Sequence, residues 1–288
     1  MRILVTGAAG MLGRAVTRCF EADHEPVGID LADGDLASAG VAARLVAEAS
    51  PEWIIHCAAW TDVDGAESAR REAMAANADA TGHLAGICRQ QDIGLTYLST
   101  DYVFDGQGND GGYDEGDPRD PLNHYGLTKA RGEEHVESLP GDWQIVRTSW
   151  LFGDGRVNFP KTIVGLLDRQ ETLQVVDDQR GCPTYADDLA ELLHFLVPSR
   201  RRGIFHGTNA GDVTWYGFAR EVAAVVGKDP GRITPCASSV WPTAAVRPPC
   251  SVLRSGHLEK VGCPARPSWQ DAVARYLARL EAGSVAFP

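Results

Sequence analysis

The chain has 288 residues, 44% of them hydrophobic, and a formal net charge of −12. That allows one large domain or two modest ones around a sizeable core, and it argues against non-specific binding to nucleic acid or an anionic membrane, so an anionic ligand needs a local basic pocket. No run approaches the roughly 20 apolar residues of a membrane span, and seven cysteines, odd in number and without a Cys-x-x-Cys pair, read as reduced thiols of a cytoplasmic protein.

The start, Met1 to Val5, enters a strand at once and leaves no room for a signal peptide. Ile3-Leu4-Val5 leads into Thr6-Gly7-Ala8-Ala9-Gly10-Met11-Leu12-Gly13 and a helical pattern through Phe20. Strand, glycine turn and helix in this order are the context of a dinucleotide fingerprint. Gly7 permits the tight turn, Gly10 lets backbone approach a pyrophosphate, and Gly13 lets the helix pack close. Amides at the helix start, around Met11 and Leu12, would hold the phosphates. The bland alternative is a glycine-rich turn without a ligand.

The second strand is expected over 26–30. Asp30 ends it, about 20 residues past the glycines, where an acid hydrogen-bonds an adenosine ribose 2′-hydroxyl. No arginine follows, which favours NADH over NADPH. Asp35-Leu36 is expected to open a helix to about Ala49, with Asp35 toward the adenine. A third strand, Trp53 to Ala59, ends in Cys57, Ala58 and Ala59, whose small side chains let a cofactor lie against the backbone. Thr61, Asp62 and Val63 follow at the sheet's carboxyl edge, where open α/β sheets bind ligands. A long helix is expected over 67–91. His56 and His83 have no paired ligands at metal spacing and read as structural; no cluster in the sequence has that spacing.

The fourth strand, from Ile93, runs into Ser99 and Thr100. Residues 106–112 are polar and glycine-rich, a loop with the character of a lid. Asp120 to Asn123 starts a helix carrying Tyr125 and Lys129. At i and i+4 these two share a helix face, and an ammonium beside a phenol lowers the phenol's pKa toward neutral, making a proton donor or acceptor. On an exposed helix the same pair is ordinary solvated surface. A fifth strand covers 145–150. The regular alternation implies a doubly wound parallel sheet of the α/β class. Beyond Trp150 the rhythm breaks. Helices are expected over 158–169, 186–196, 215–226 and 269–281, short strands over 173–176 and 204–206, and an irregular proline-rich stretch over 235–249. This gives a dinucleotide-binding domain over 1–150 and a smaller, irregular substrate lobe mainly over 151–288, from which short segments can return to the first domain.

With these residues assembled, the chain resembles the extended short-chain dehydrogenase/reductase superfamily, and within it the dTDP-4-dehydrorhamnose reductase family. The resemblance rests on Gly7-Ala-Ala-Gly10-Met-Leu-Gly13, Ser99-Thr-Asp-Tyr-Val-Phe-Asp-Gly106, Pro121-Leu-Asn-His-Tyr125-Gly-Leu-Thr-Lys129, Arg147-Thr-Ser-Trp150, Asp178-Gln-Arg-Gly-Cys-Pro-Thr184 and the Trp215-Tyr216 and Arg247-Pro248 segments. It implies a Rossmann-type fold, NADH or NADPH as cofactor, and Thr100, Tyr125 and Lys129 as the catalytic set. The implied reaction reduces the 4-keto group of a dTDP-4-keto-6-deoxysugar, with Tyr125 as proton donor, Lys129 lowering its pKa and holding the nicotinamide ribose, and Thr100 on the keto oxygen. Cofactor contacts are implied at the glycine turn, Asp30, Asp35, Leu36, Cys57, Ala58, Ala59, Ser99, Tyr125 and Lys129. Substrate contacts are implied at Thr61, Asp62, Val63, Thr100, Tyr102, Tyr125, Trp150 and Asn158, with Lys161, Arg180 and Arg247 as candidates for the diphosphate. Gly65 and Cys250 stand where family members commonly carry Lys and Asn, which leaves the particular sugar open.

Asp101-Tyr102 after the threonine lacks the second acid of a sugar-nucleotide dehydratase, so reduction fits better. The remaining alternatives are a 4-ketoreductase for another deoxysugar, as in antibiotic biosynthesis, and a non-catalytic dinucleotide-binding regulatory subunit. Oligomeric state is open, a homodimer among the options.

Overall fold

The computed structural model describes residues 1–108, 111–155 and 157–284. Five strands, β1 (Arg2–Thr6), β2 (Glu25–Ile29), β3 (Trp53–His56), β4 (Gly94–Thr100) and β5 (Trp143–Thr148), join the strand Gly203–His206 in one six-stranded sheet. Its order is Gly203–His206, β5, β4, β3, β1, β2, and every pairing is parallel. The chain therefore reverses direction across the sheet between β1 and β3, the switch point at which open sheets bind ligands.

Burial explains the strand compositions. β3 and β4 are buried along their whole length, as parallel strands covered on both faces must be. One face packs on α1 (Met11–Phe20) and on the helix Ala186–Ser199, the other on α2 (Ala39–Ala49) and the helices Ala80–Gln91 and His124–Glu137. A separate core joins the helices Phe159–Leu167, Trp215–Val225 and Trp269–Arg279 around Phe152, Phe218 and Tyr276. The 151–288 half thus sends Ala186–His206 back to the main sheet.

Several boundaries differ from expectation. α2 starts at Ala39 rather than Asp35, because Asp35 Oδ1 accepts from the Ala37 amide at 2.9 Å and holds a turn. The helix expected over 67–91 is broken into Gly65–Ser68, Arg70–Met74, a π-helical turn Ala75–Asp79, and Ala80–Gln91. The π turn puts Asn77 where its side chain bridges the Trp60 backbone, at 2.8 and 3.1 Å, and the Thr128 hydroxyl, at 2.8 Å. β3 ends at His56, leaving Cys57 to Ala59 as irregular backbone. β5 ends at Thr148, and Trp150 takes a left-handed conformation, φ +47°. In the loop expected over 106–112, residues 109 and 110 lie outside the described residues. The rest is stapled by Tyr113, whose hydroxyl donates to Asp105 at 2.5 Å and accepts from the Gly108 amide at 2.7 Å.

Candidate active site

A cavity of about 820 Å³ opens at the carboxyl end of the sheet. The glycine turn after β1 makes its floor. Gly7 has φ +67°, and a Cβ on Gly13 would lie 2.1 Å from the Gly7 carbonyl oxygen, so only glycine lets α1 sit this close. Gly7, Gly10, Met11, Leu12 and Gly13 all line the cavity, together with Asp30, Asp35, Leu36, Cys57, Ala58 and Ala59. The Asp30 carboxylate accepts from the Ala9 amide at 2.9 Å and from the Leu31 amide at 2.8 Å, which fixes it at the end of β2 beside the turn.

The catalytic candidates come from two neighbouring elements. Thr100 ends β4, and Tyr125 and Lys129 lie on the helix that Asn123 caps by accepting from the Gly126 amide at 2.8 Å. All three line the cavity, as do Ser99, Tyr102 and Trp150. The Thr100 hydroxyl stands close enough to the Tyr125 phenol to oppose the rise that burial gives its pKa. The Tyr102 and Tyr125 rings meet edge to face with centroids 6.0 Å apart. The Ser99 hydroxyl is committed to Glu133 Oε1 at 2.5 Å.

The expected pKa relation between Lys129 and Tyr125 does not hold in the protein alone. The Lys129 ammonium turns to the Leu98 carbonyl, donating at 2.7 Å, and lies 4.1 Å over the Tyr97 ring. Burial pulls it down to about 7, against support from Glu133 and Cys57. Burial also pushes the Tyr125 phenol up to about 12, the Thr100 hydroxyl opposing and Asp101 adding to the rise. With its ammonium turned to Leu98 and Tyr97, Lys129 is not among the groups that set the Tyr125 pKa. Burial likewise pushes the Cys57 thiol up to about 12 and His56 down to about 3, so neither is a nucleophile or base near neutrality.

Two of the substrate candidates are elsewhere. Thr61 and Val63 line the cavity, but Asp62 does not; its Oδ1 accepts from the Gly65 amide at 2.9 Å and starts the short helix there. Asn158 is a buried helix cap, accepting from the Lys161 amide at 3.2 Å and donating to Gly153 O and Tyr276 Oη at 2.8 Å each. None of the three cationic candidates lines the cavity. Arg180 pairs with Asp212, Arg247 with Asp64 at 2.5 and 2.6 Å, and Lys161 is buried in the first turn of its helix.

The cavity also gathers residues to which the sequence assigned no role: Trp60, Asp101, Thr148, Val157 and Trp215. Trp215 stacks on Trp150 with centroids 3.5 Å apart and planes 7° from parallel. A tryptophan within a matching segment was the only signal for it. Outside the cavity, Asp23, His24 and His194 bring donor atoms within 4.8 Å of one another, a grouping that their spacing in the chain hides.

These residues fit a dinucleotide. The cradle at Gly7 and Gly13 has no space for a Cβ, the helix-start residues Gly10 to Gly13 line the cavity, and buried polar atoms of His56, Asp101 and Thr148 on its wall have no hydrogen-bond partner among the described residues. Glycine turn, switch-point cavity and a Thr–Tyr–Lys set at one sheet edge define a Rossmann-type enzyme of the short-chain dehydrogenase/reductase class.

Within that class, the chain matches the family described as RmlD substrate binding domain over residues 1–282 and belongs to it, the dTDP-4-dehydrorhamnose reductase family. It is 40% identical to a dTDP-4-keto-6-deoxy-D-glucose reductase of Streptomyces niveus over 98% of both chains. A dTDP-4-dehydrorhamnose reductase from Clostridium acetobutylicum superposes with a TM-score of 0.94 at 36% identity, covering 98% of this chain and all of that one. Another, from Bacillus anthracis in complex with NADP, gives 0.93 at 34% identity, covering 96% and 99%.

Proposed function

We propose that the chain reduces the 4-keto group of a dTDP-4-keto-6-deoxysugar, with NADH or NADPH as reductant. The observation that carries this reading is the meeting of Thr100, Tyr125 and Lys129 on the wall of the cavity floored by the glycine turn. The bound nicotinamide supplies hydride. Thr100 and Tyr125 hold the ketone oxygen and set its orientation. Tyr125 gives its proton to the alkoxide as charge develops there. Lys129 in its ammonium form stabilises the phenolate left behind. Trp150, backed by Trp215, walls the sugar side and excludes water. A cytoplasmic setting belongs to the same proposal; it is supported by seven free cysteines, and among the described residues no helix is long and apolar enough to cross a membrane.

The substrate's identity is tested by following nicotinamide oxidation over a set of thymidine-diphosphate 4-keto-6-deoxysugars, including the one leading to rhamnose and those leading to antibiotic sugars. Tyr125→Phe should keep cofactor affinity and lower kcat by about 10²–10⁴-fold, the usual share of general acid catalysis. Full turnover in that variant, or no oxidation with any keto-sugar, would overturn the reading.

A further inference from the structure

The reduction as described consumes the proton of Tyr125 and leaves one buried acid at the site unused. Asp101 opens the turn Asp101–Val103 after β4, is 3% exposed, and lines the cavity. Its Oδ1 is 3.1 Å from Thr100 Oγ1, the hydroxyl that lies beside Tyr125 on the cavity wall and lowers its phenol's pKa. Ser251, from the C-terminal half, makes a further contact with the carboxyl, while Oδ2 has no partner among the described residues.

We propose that Asp101 is the proton store of this site and recharges Tyr125 through the Thr100 hydroxyl. The inference rests on the reductase reading above. Tyr125 gives its proton to the substrate alkoxide; the phenolate oxygen takes the proton of Thr100, and Thr100 Oγ1 takes the proton of Asp101. Three O–H bonds break and three form, no electron moves between groups, and Asp101 is left as carboxylate until solvent reprotonates it. The contact between Asp101 and Thr100 runs either way: a protonated carboxyl donates to Oγ1, and an ionised one accepts from it.

The surroundings bring the acid's titration up to neutrality, so it still carries a proton on the acid side of pH 7. Burial pushes it up to about 7, opposed first by Ser251 and Thr100. Its charge acts on Tyr102 in the same turn, Tyr125 on the facing helix and Cys182 beyond the strand Arg180–Gly181, and Lys129 shares the cavity wall. The first three are held above their ordinary values by burial first, and are neutral at pH 7. Asp101 is a positioning residue, acting on the substrate through Thr100 and Tyr125.

Asp101→Asn keeps the shape and an acceptor for Thr100 but carries no proton to pass on. In the wild type, kcat with the keto-sugar should fall as pH rises through about 7. Lys129, needed as an ammonium and also brought to about 7, keeps part of that limb in Asp101→Asn, but the limb should become shallower, with kcat lowered about tenfold at pH 6, less than the full share of a general acid because solvent refills the phenol slowly. Asp101→Glu should restore the steeper limb. Without cofactor, infrared spectroscopy of the wild type should show a protonated carboxyl, missing in Asp101→Asn, that titrates near pH 7. A purely structural role predicts that Asn replaces Asp with the profile unchanged; superimposable profiles, or a carboxyl ionised throughout pH 5–8, overturn the proposal. A wild type that turns over no keto-sugar overturns the reductase reading instead.

Discussion

Lys129→Met is expected to make the protein more stable and far less active. In the folded chain burial takes the lysine from its ordinary 10.5 to about 7, a displacement equivalent to about 5 kcal/mol at roughly 1.4 per unit. The sign follows from proton counts. Between pH 7 and 10.5 the unfolded lysine binds a proton that the folded one lacks, so stability rises with pH; below 7 both bind it and the penalty is constant and largest. Methionine has no charge to desolvate. Against this, the variant loses the donor to Leu98 O at 2.7 Å and the contact over Tyr97. A buried carbonyl left unpaired costs about 1–3 kcal/mol. The balance at pH 7 is a gain of roughly 2–4 kcal/mol. Urea denaturation of both proteins from pH 6 to 10 measures it: the advantage should be constant up to about 7 and shrink by about 1.4 kcal/mol per pH unit above. Parallel stability profiles would refute the claim that the fold strains this ammonium, whatever happens to turnover.

Gly13→Ala places a methyl group 2.1 Å from Gly7 O and 2.7 Å from Ala8 Cα; it should cost about 1–3 kcal/mol in thermal or urea unfolding and weaken NADH binding, and an unchanged midpoint would contradict the close packing. Glu133→Gln strips the carboxylate from buried Arg147, which it holds at 2.9 and 2.7 Å; the expected loss is about 3–5 kcal/mol. Burial opposes ionisation of Glu133, but Arg147, Ser99 and Arg119 outweigh it and hold the carboxyl below its ordinary value, so its contribution persists above the glutamate range and is lost only as pH falls beneath it. Asp30, fixed by the Ala9 and Leu31 amides, leaves no room for a 2′-phosphate without charge repulsion, so kcat/KM for NADH should equal or exceed that for NADPH; a strong NADPH preference would show the carboxylate facing away from the ribose.

Local chemistry was readable where backbone demands a residue type. Gly7 and Gly13 are required by a turn and a close approach, and the hydrophobic runs of β1, β3 and β4 follow from a sheet covered on both faces. What the one-dimensional pattern hid was direction. Asp62 and Asn158 are polar residues next to the expected substrate side, and both turn away to satisfy helix-start amides, a demand as strong as any ligand's. The π turn at Ala75–Asp79 contains no glycine or proline to mark it. Trp215 reaches Trp150 from 65 positions away, and Arg247 is consumed by Asp64; only the tertiary path brings either pair together.

The spacing of Tyr125 and Lys129 extends one step further than the pair itself. Glu133 stands four residues beyond Lys129, so phenol, ammonium and carboxylate follow one another along the same face of one helix. Glu133 is tied to Ser99 on β4 and Arg147 on β5, which moors that face to the two strands delivering Thr100 and Thr148 to the cavity. It also supports the Lys129 ammonium against desolvation. Its removal would therefore act twice: the helix would lose its anchor, and the Lys129 pKa, now about 7, would fall below neutrality and take with it the charge that the phenolate needs. The wide separation of a lysine from its ordinary pKa is thus tolerable only because a buried ion pair, far too costly to justify as surface decoration, sits one turn behind it.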